Sequence, residues 1–204
     1  MVTPSTLFSL VRHAGLFAVR SALIALTLLA PTVSHASDLS DALRSSEYVL
    51  LIRHAYAPGV GDPANFTLAD CKSQRNLNDE GRNQALRIGT WLKQQGVASA
   101  QVYASPWCRC KDTAELMKFD GFKLEASLAS FFNDMYKAKE SNTKLQHFIA
   151  QHIKTKGQQA LILVTHHVNI YEYMGENIGS GDMVLVKVNA EGGAISHKTI
   201  RRPD

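Results

Sequence analysis

Acidic side chains are missing from the first 36 positions of this 204-residue chain; all 18 Asp and Glu come after them. No uncharged apolar run reaches the roughly 18–20 residues needed to span a bilayer as a helix. Proline (6) and glycine (13) are sparse, which excludes collagen-like, low-complexity and wholly disordered polymers. Lys and Arg number 22, for a net charge of +4, yet they form no run of the kind that makes a nucleic-acid arm. A polyanionic partner is therefore not demanded, and no nucleic-acid binding is expected. Three cysteines are an odd count and too few for a disulfide scaffold. With 45% hydrophobic and 20% charged residues at this length, one folded domain is expected.

What the first 36 residues do contain is Arg12, Arg20 and then the apolar run Ser21 to Ala30. Pro31 follows, and Ser34-His35-Ala36 places small residues at the −3 and −1 positions of a cleavage site. The pattern predicts a signal peptide over residues 1–36, cleaved after Ala36. A retained anchor is disfavoured because Arg20 interrupts the longer apolar stretch, and a charge at a helix centre costs about 2.5–3.5 kcal/mol even on the lenient insertion scale. No cysteine sits near the site to carry a lipid. Cleavage leaves residues 37–204, a 168-residue domain of net charge +2 with no membrane span. Its expected location is periplasmic or secreted, an oxidising compartment.

The remaining chain alternates strands and helices. Asp38 to Ser46 reads as a short amphipathic helix, and Tyr48 to Ile52 as a strand buried on both faces. A polar stretch with Pro58, Gly59, Gly61 and Pro63 runs from Tyr56 to Asn76, too long for a simple connector and so a candidate functional loop. Asn78 caps a helix carrying Ala85, Ile88 and Leu92. Gln101 to Ala104 is a short strand, and Ser105-Pro106 opens the next helix with Pro at its first position. Glu140 to Lys156 is a helix, Leu161 to Val164 an apolar strand, and Met183–Val188 with Ala194–Ile200 a hairpin. This alternation predicts an α/β three-layer sandwich whose mostly parallel central sheet is flanked by helices.

Ligands of open α/β sheets bind outside the carboxyl ends of the strands. Arg53-His54 follows the first apolar strand, Ser105 to Arg109 the second, and Thr165-His166 the third, with no carboxylate among them. Two guanidiniums supply bidentate donors for a phosphoryl group, and a helix N-terminus adds N–H donors. A neutral imidazole can attack phosphorus, and a second can donate to the phosphoryl oxygens. An unperturbed imidazole pKa of about 6.5 already leaves the nucleophile mostly neutral at pH 7.

Four motifs now stand in order: Leu51-Ile-Arg53-His54-Ala55, Leu77-Asn-Asp-Glu-Gly81, Ser105-Pro-Trp-Cys-Arg109-Cys-Lys-Asp-Thr113-Ala114, and Val164-Thr-His166. Together they resemble the histidine phosphatase superfamily, the phosphoglycerate-mutase-like branch, in an exported bacterial-type form. The resemblance implies a phosphatase of phosphoglycerate-mutase-like fold. In it His54 would be the nucleophile, Arg53 and Arg109 the phosphoryl ligands and His166 the fourth catalytic residue. No metal and no organic cofactor are implied. Val11-Arg12-His13-Ala14 repeats the first motif inside the expected signal peptide, without a preceding strand, and is read as chance.

The chain departs from the family pattern in two places. Ala55 stands where the family has Gly, a small change. Ser130, in Leu128-Ala-Ser130-Phe131-Phe132, stands where many members have a Glu general acid. Asp134, Asp62 and Asp70 are the alternatives, with substrate or water as a further route. Arg75 and Asp134 are candidate substrate-binding residues, and His167 is assigned a structural role because side chains alternate sides along a strand. Cys108-Arg-Cys110 is off the spacing of structural zinc pairs. A disulfide from Cys71 to Cys108 or Cys110 is expected instead, leaving one thiol. The expected activity is hydrolysis of a small phosphomonoester, a metabolite or an envelope sugar phosphate, through phosphohistidine. The alternative is a catalytically weak phosphate- or sugar-phosphate-binding module.

Overall fold

Six strands form one sheet in the computed structural model, which describes residues 38–204. The expected signal peptide, its cleavage site and the Val11–Ala14 repeat lie outside the described residues. The strands are β1 (Tyr48–Arg53), β2 (Ala100–Ala104), β3 (Lys123–Leu124), β4 (Ala160–Thr165), β5 (Met183–Val188) and β6 (Ala194–Ile200), in the order β3-β2-β4-β1-β5-β6. The first four in that order run parallel; β5 is antiparallel to β1 and to β6. The helices are α1 (Asp38–Arg44), α2 (Asp79–Gln94), α3 (Cys108–Leu116), α4 (Ala138–Ile153) and α5 (His167–Met174).

The layering follows from the two-residue period of the strands. Leu50, Ile52, Ile162 and Val164 pack with Leu43 of α1, Ile88 and Leu92 of α2 and Ala114 of α3. Val49, Leu51, Leu161 and Leu163 point the other way, onto Leu145 and Ile149 of α4 and Ile170 of α5. Both faces of β1 and β4 are thus covered, which is why these strands read as unbroken apolar runs. Among the described residues no helix is long and apolar enough to cross a membrane.

Asn78 caps α2 as expected, its side chain accepting from the Gly81 N–H at 2.9 Å. Gly81 is required by close approach: a Cβ there would lie 1.9 Å from the carbonyl oxygen of Tyr56. The glycine of the second motif therefore lets α2 start against the chain leaving β1, two residues past His54. The third helix begins later than expected, at Cys108, and Trp107 before it is extended with no side-chain cap. The Ser105 hydroxyl lies closer to His166 Nε2, at 2.8 Å, than to the Trp107 N–H, from which it accepts at 3.5 Å. Among the strands and α-helices, β3 and α5 are not expected from the sequence. β3 has two residues and exists by pairing with Tyr103 and Ala104, while α5 starts directly after His166 and ends at Gly175, whose φ of 78° reverses the chain.

Candidate active site

Adjacent parallel strands bring the sequence-separated residues to one sheet edge. Arg53 of β1 pairs with Thr165 of β4, and Ala104 of β2 with Val164, so His54, Ser105 and His166 leave the sheet side by side. The ring centroids of His54 and His166 are 5.5 Å apart. They lie at the base of a cavity of about 400 Å³, whose walls also include Arg53, Arg75 and Arg109.

His54 is buried, and its Nδ1 is 2.8 Å from the carbonyl oxygen of Ala55. A carbonyl only accepts, so Nδ1 carries the proton and Nε2 keeps its lone pair. Burial, and then the charge of Arg109, hold the His54 imidazole well below the usual histidine pKa. His166 is shifted the same way by burial and Arg109. Its Nδ1 lies 3.3 Å from the Arg109 guanidinium, which can only donate, so Nε2 bears the proton and donates to Ser105 Oγ at 2.8 Å. Both imidazoles are therefore neutral and each is fixed in one tautomer.

Arg53 donates through Nη1 to the Ile178 carbonyl at 2.7 Å. Arg109 donates through Nη1 to Asp62 at 2.9 Å. The Nε atoms of both arginines are buried and have no hydrogen-bond partner among the described residues. Arg75 donates through Nε to the Gly61 carbonyl at 2.9 Å and also to the Ala57 carbonyl, so it braces the long loop while facing the cavity. Burial and the neighbouring Arg109 lower its pKa. Asp134 lines the cavity from the far side and is ion-paired to Lys137 at 3.0 Å. Ser130 lines it too, accepting from the Phe132 N–H at 3.3 Å.

Three readings need correction. A carboxylate does enter the arginine cluster: Asp62 comes in from the long loop and accepts from Arg109, from Trp107 Nε1 at 3.0 Å and from the Arg75 N–H at 3.0 Å. With its oxygens so engaged it holds Arg109 in place. Asp70 is exposed and accepts from the Lys72 N–H at the start of a short 3-10 helix, away from the cavity. His167 is not turned into a packed layer; it lines the cavity beside His166, because β4 ends at Thr165 and the alternation of a strand does not carry into α5. Burial and Arg53 lower its pKa.

The disulfide joins Cys71 to Cys108, with Cα atoms 5.7 Å apart, and ties the long loop to the start of α3. Those two sulfurs are thereby removed as metal ligands. Cys110 is the free thiol; burial pushes its pKa up to about 12. Sequence reasoning missed Trp107, whose indole lies edge-on to His166 with centroids 5.3 Å apart. Its only signal was its place inside the third motif.

Residues 49–135 match the sequence profile of the histidine phosphatase superfamily (branch 1). That segment of the chain belongs to the superfamily. The histidine phosphatase fold extends beyond it, since solved structures of phosphoglycerate-mutase-like proteins superpose on most of the chain. The phosphoserine phosphatase of Entamoeba histolytica, in complex with 3-phosphoglyceric acid, aligns at 14% identity and TM-score 0.56, covering 76% of this chain and 97% of that one. A mycobacterial glucosyl-3-phosphoglycerate phosphatase with bound VO3 aligns at 12% identity and TM-score 0.54, covering 75% and 97%. The protein histidine phosphatase SixA, complexed with tungstate, aligns at 18% identity and TM-score 0.52, covering 76% and 96%. No curated protein matches the chain in sequence.

Proposed function

We propose that this histidine phosphatase hydrolyses small phosphomonoesters through a phosphohistidine at His54. The observation that carries the reading is the locked tautomer of His54: with Nδ1–H held by Ala55, the Nε2 lone pair is the reactive one. In the first step Nε2 forms the bond to phosphorus as the P–O bond to the alcohol breaks. In the second, water attacks phosphorus, the N–P bond breaks, and phosphate leaves with His54 restored. Arg53 and Arg109 neutralise the charge that builds on the phosphoryl oxygens, usually the largest catalytic term. Their unpaired Nε–H groups are donors for which a bound oxyanion would supply acceptors. His166 forms the floor of that site, while Arg75 and Asp134 face the remainder of the substrate.

A second reading, a phosphate-binding module without turnover, draws on Ser130 standing where the family pattern has a carboxylic acid. Acid-stopped incubation with labelled substrate separates the two. An acid-labile, base-stable phosphoenzyme that disappears in His54→Ala supports the enzyme; tight phosphate binding without label supports the module. We further propose that residues 1–36 are an export signal, that residues 37–204 are the functional unit, and that the unit works in the periplasm or outside the cell. The acid-free N-terminus and the Cys71–Cys108 disulfide support this. An N-terminus other than Ser37 on protein recovered after export would overturn the cleavage site.

A further inference from the structure

We infer that the site is selective for aryl phosphates, esters whose leaving group is a single flat apolar ring on an acidic hydroxyl. The inference rests on the phosphohistidine reading and narrows its substrate. Two independent features lead to it, one from the walls of the cavity and one from its supply of protons.

Away from the arginines the cavity wall carries a cluster of aromatic and apolar side chains beside the polar Ser130, Asn133, Asp134 and Lys137. Trp107 links the two ends: its indole meets the His166 ring on one side and the Phe66 ring, 6.0 Å away, on the other. Phe131 and Phe132 face the cavity from the segment around Ser130, and Val60 from the long loop. The gap between loop and segment is narrow, since a Cβ on Gly61 would be 3.6 Å from Phe132 Cε1. Phe132 and Val60 nevertheless stay 49% and 88% exposed, apolar surface that a bound ring would cover. A volume of about 400 Å³ is at the low end for small-molecule sites, enough for a phosphoryl group and one ring.

Proton supply gives the chemistry of the bridging oxygen. Asp62 is fully engaged as an acceptor from Arg109, Trp107 and Arg75. Asp134, the other carboxylate on the cavity wall, is paired with Lys137, whose ammonium is taken up by that pair, and the His167 imidazole on the same wall is held below the usual histidine pKa by burial and Arg53. Ser130 offers a hydroxyl, which is no general acid. An aliphatic alcohol is about as weak an acid as water, so its alkoxide needs protonation as it departs, worth about 10²–10⁴ in rate. A phenolate, with a pKa of about 10, departs as the anion and takes its proton from solvent afterwards. Sugar phosphates carry aliphatic leaving oxygens and so fall on the disfavoured side.

The test uses the full chain and three probes: phenyl phosphate, propyl phosphate and acetyl phosphate. Phenyl phosphate should exceed propyl phosphate in kcat/KM by at least about 100-fold; a smaller ratio overturns the inference. Acetyl phosphate has a good leaving group and no ring, so it separates proton demand from ring binding. Phe132→Ala, at a half-exposed position where the fold tolerates truncation, should raise KM for phenyl phosphate at least fivefold more than for acetyl phosphate. An equal effect on both overturns the ring assignment. Acid-stopped labelling distinguishes the levels: no phosphoenzyme from any probe means the phosphohistidine reading itself is wrong, while label formed equally fast from propyl and phenyl phosphate leaves that reading standing and sinks the selectivity alone.

Discussion

The Asp62 carboxylate and the Arg109 guanidinium meet at 2.9 Å with side chains only 5% and 4% exposed. The pair is withdrawn from water, and Asp62 is also the acceptor for the Trp107 indole and the Arg75 N–H. Removing one partner of such a pair leaves an uncompensated buried charge, at a cost of about 3–5 kcal/mol. Asp62→Asn should therefore lower unfolding stability by roughly that amount. It should also lower kcat/KM at least tenfold, because Arg109 loses its anchor beside His166. Urea unfolding and steady-state kinetics measure both. A variant as stable as wild type within about 0.5 kcal/mol, the scatter of ordinary surface changes, would contradict the assignment.

Neutrality of the two histidines has a definite sign in pH. Burial and Arg109 hold both below the ordinary value of about 6.5. Above that pH neither the folded nor the unfolded chain protonates them, so they contribute no pH dependence. Below it the unfolded chain takes up protons that the folded chain refuses, and stability falls as pH drops toward the folded values. The slope approaches about 1.4 kcal/mol per pH unit for each histidine. Unfolding measured at pH 7.5, 6 and 5 should show a shallower slope in His54→Gln than in wild type by about that amount. Equal slopes would mean that His54 titrates normally in the fold. The same depression keeps the nucleophile unprotonated, so kcat should show no downturn centred near 6.5.

The sheet and the four-residue core of the site were legible because each rests on a local pattern. β1 and β4 are apolar runs, and Arg53, His54 and His166 sit at their ends, where register alone brings them together. Asp62 was legible only as a candidate acid. Its true partner is 47 residues away, and their meeting depends on the path of a loop tied down at Cys108. His167 was misread for a related reason: where β4 stops decides which side chain faces the cavity, and strand ends carry no sharp sequence signal. β3 was invisible because two residues cannot show a period; its existence belongs to its neighbour β2.

The Cys71–Cys108 bridge closes a separation of 37 residues. Chain entropy gives such a cross-link about 4 kcal/mol. Cys71→Ser should thus lower stability by up to that amount, with a larger loss of substrate affinity than of kcat, since the loop carries Arg75 and Asp62. Cys110 should not substitute for either partner. It is buried beside His166, and its thiol, pushed up to about 12, is almost wholly protonated at neutral pH. Thiol titration of the protein should find no fast-reacting group in the native state, one after unfolding and three after unfolding with a reductant. A native thiol that reacts within minutes would show that Cys110 is accessible.

Ser105 and Cys110 both approach the same nitrogen of His166, the hydroxyl at 2.8 Å and the sulfur at 3.6 Å. The hydroxyl is the effective acceptor; sulfur is a weak one. Ser105→Ala leaves a buried N–H facing only that sulfur. Its cost should fall at the lower end of the about 1–3 kcal/mol for a lost buried partner, because Cys110 takes part of the bond. The ring then has less to fix its tautomer, and kcat should drop about tenfold while KM changes little. Cys110→Ala alone keeps the Ser105 bond and affects stability through packing. In the double variant no acceptor remains, so the losses should exceed the sum of the single effects by at least about 0.5 kcal/mol, the range of directly coupled sites. A double-mutant cycle on unfolding free energy and on kcat reads this coupling. Strict additivity in both would mean that Cys110 takes no part in holding His166, and that the serine hydroxyl alone sets its orientation.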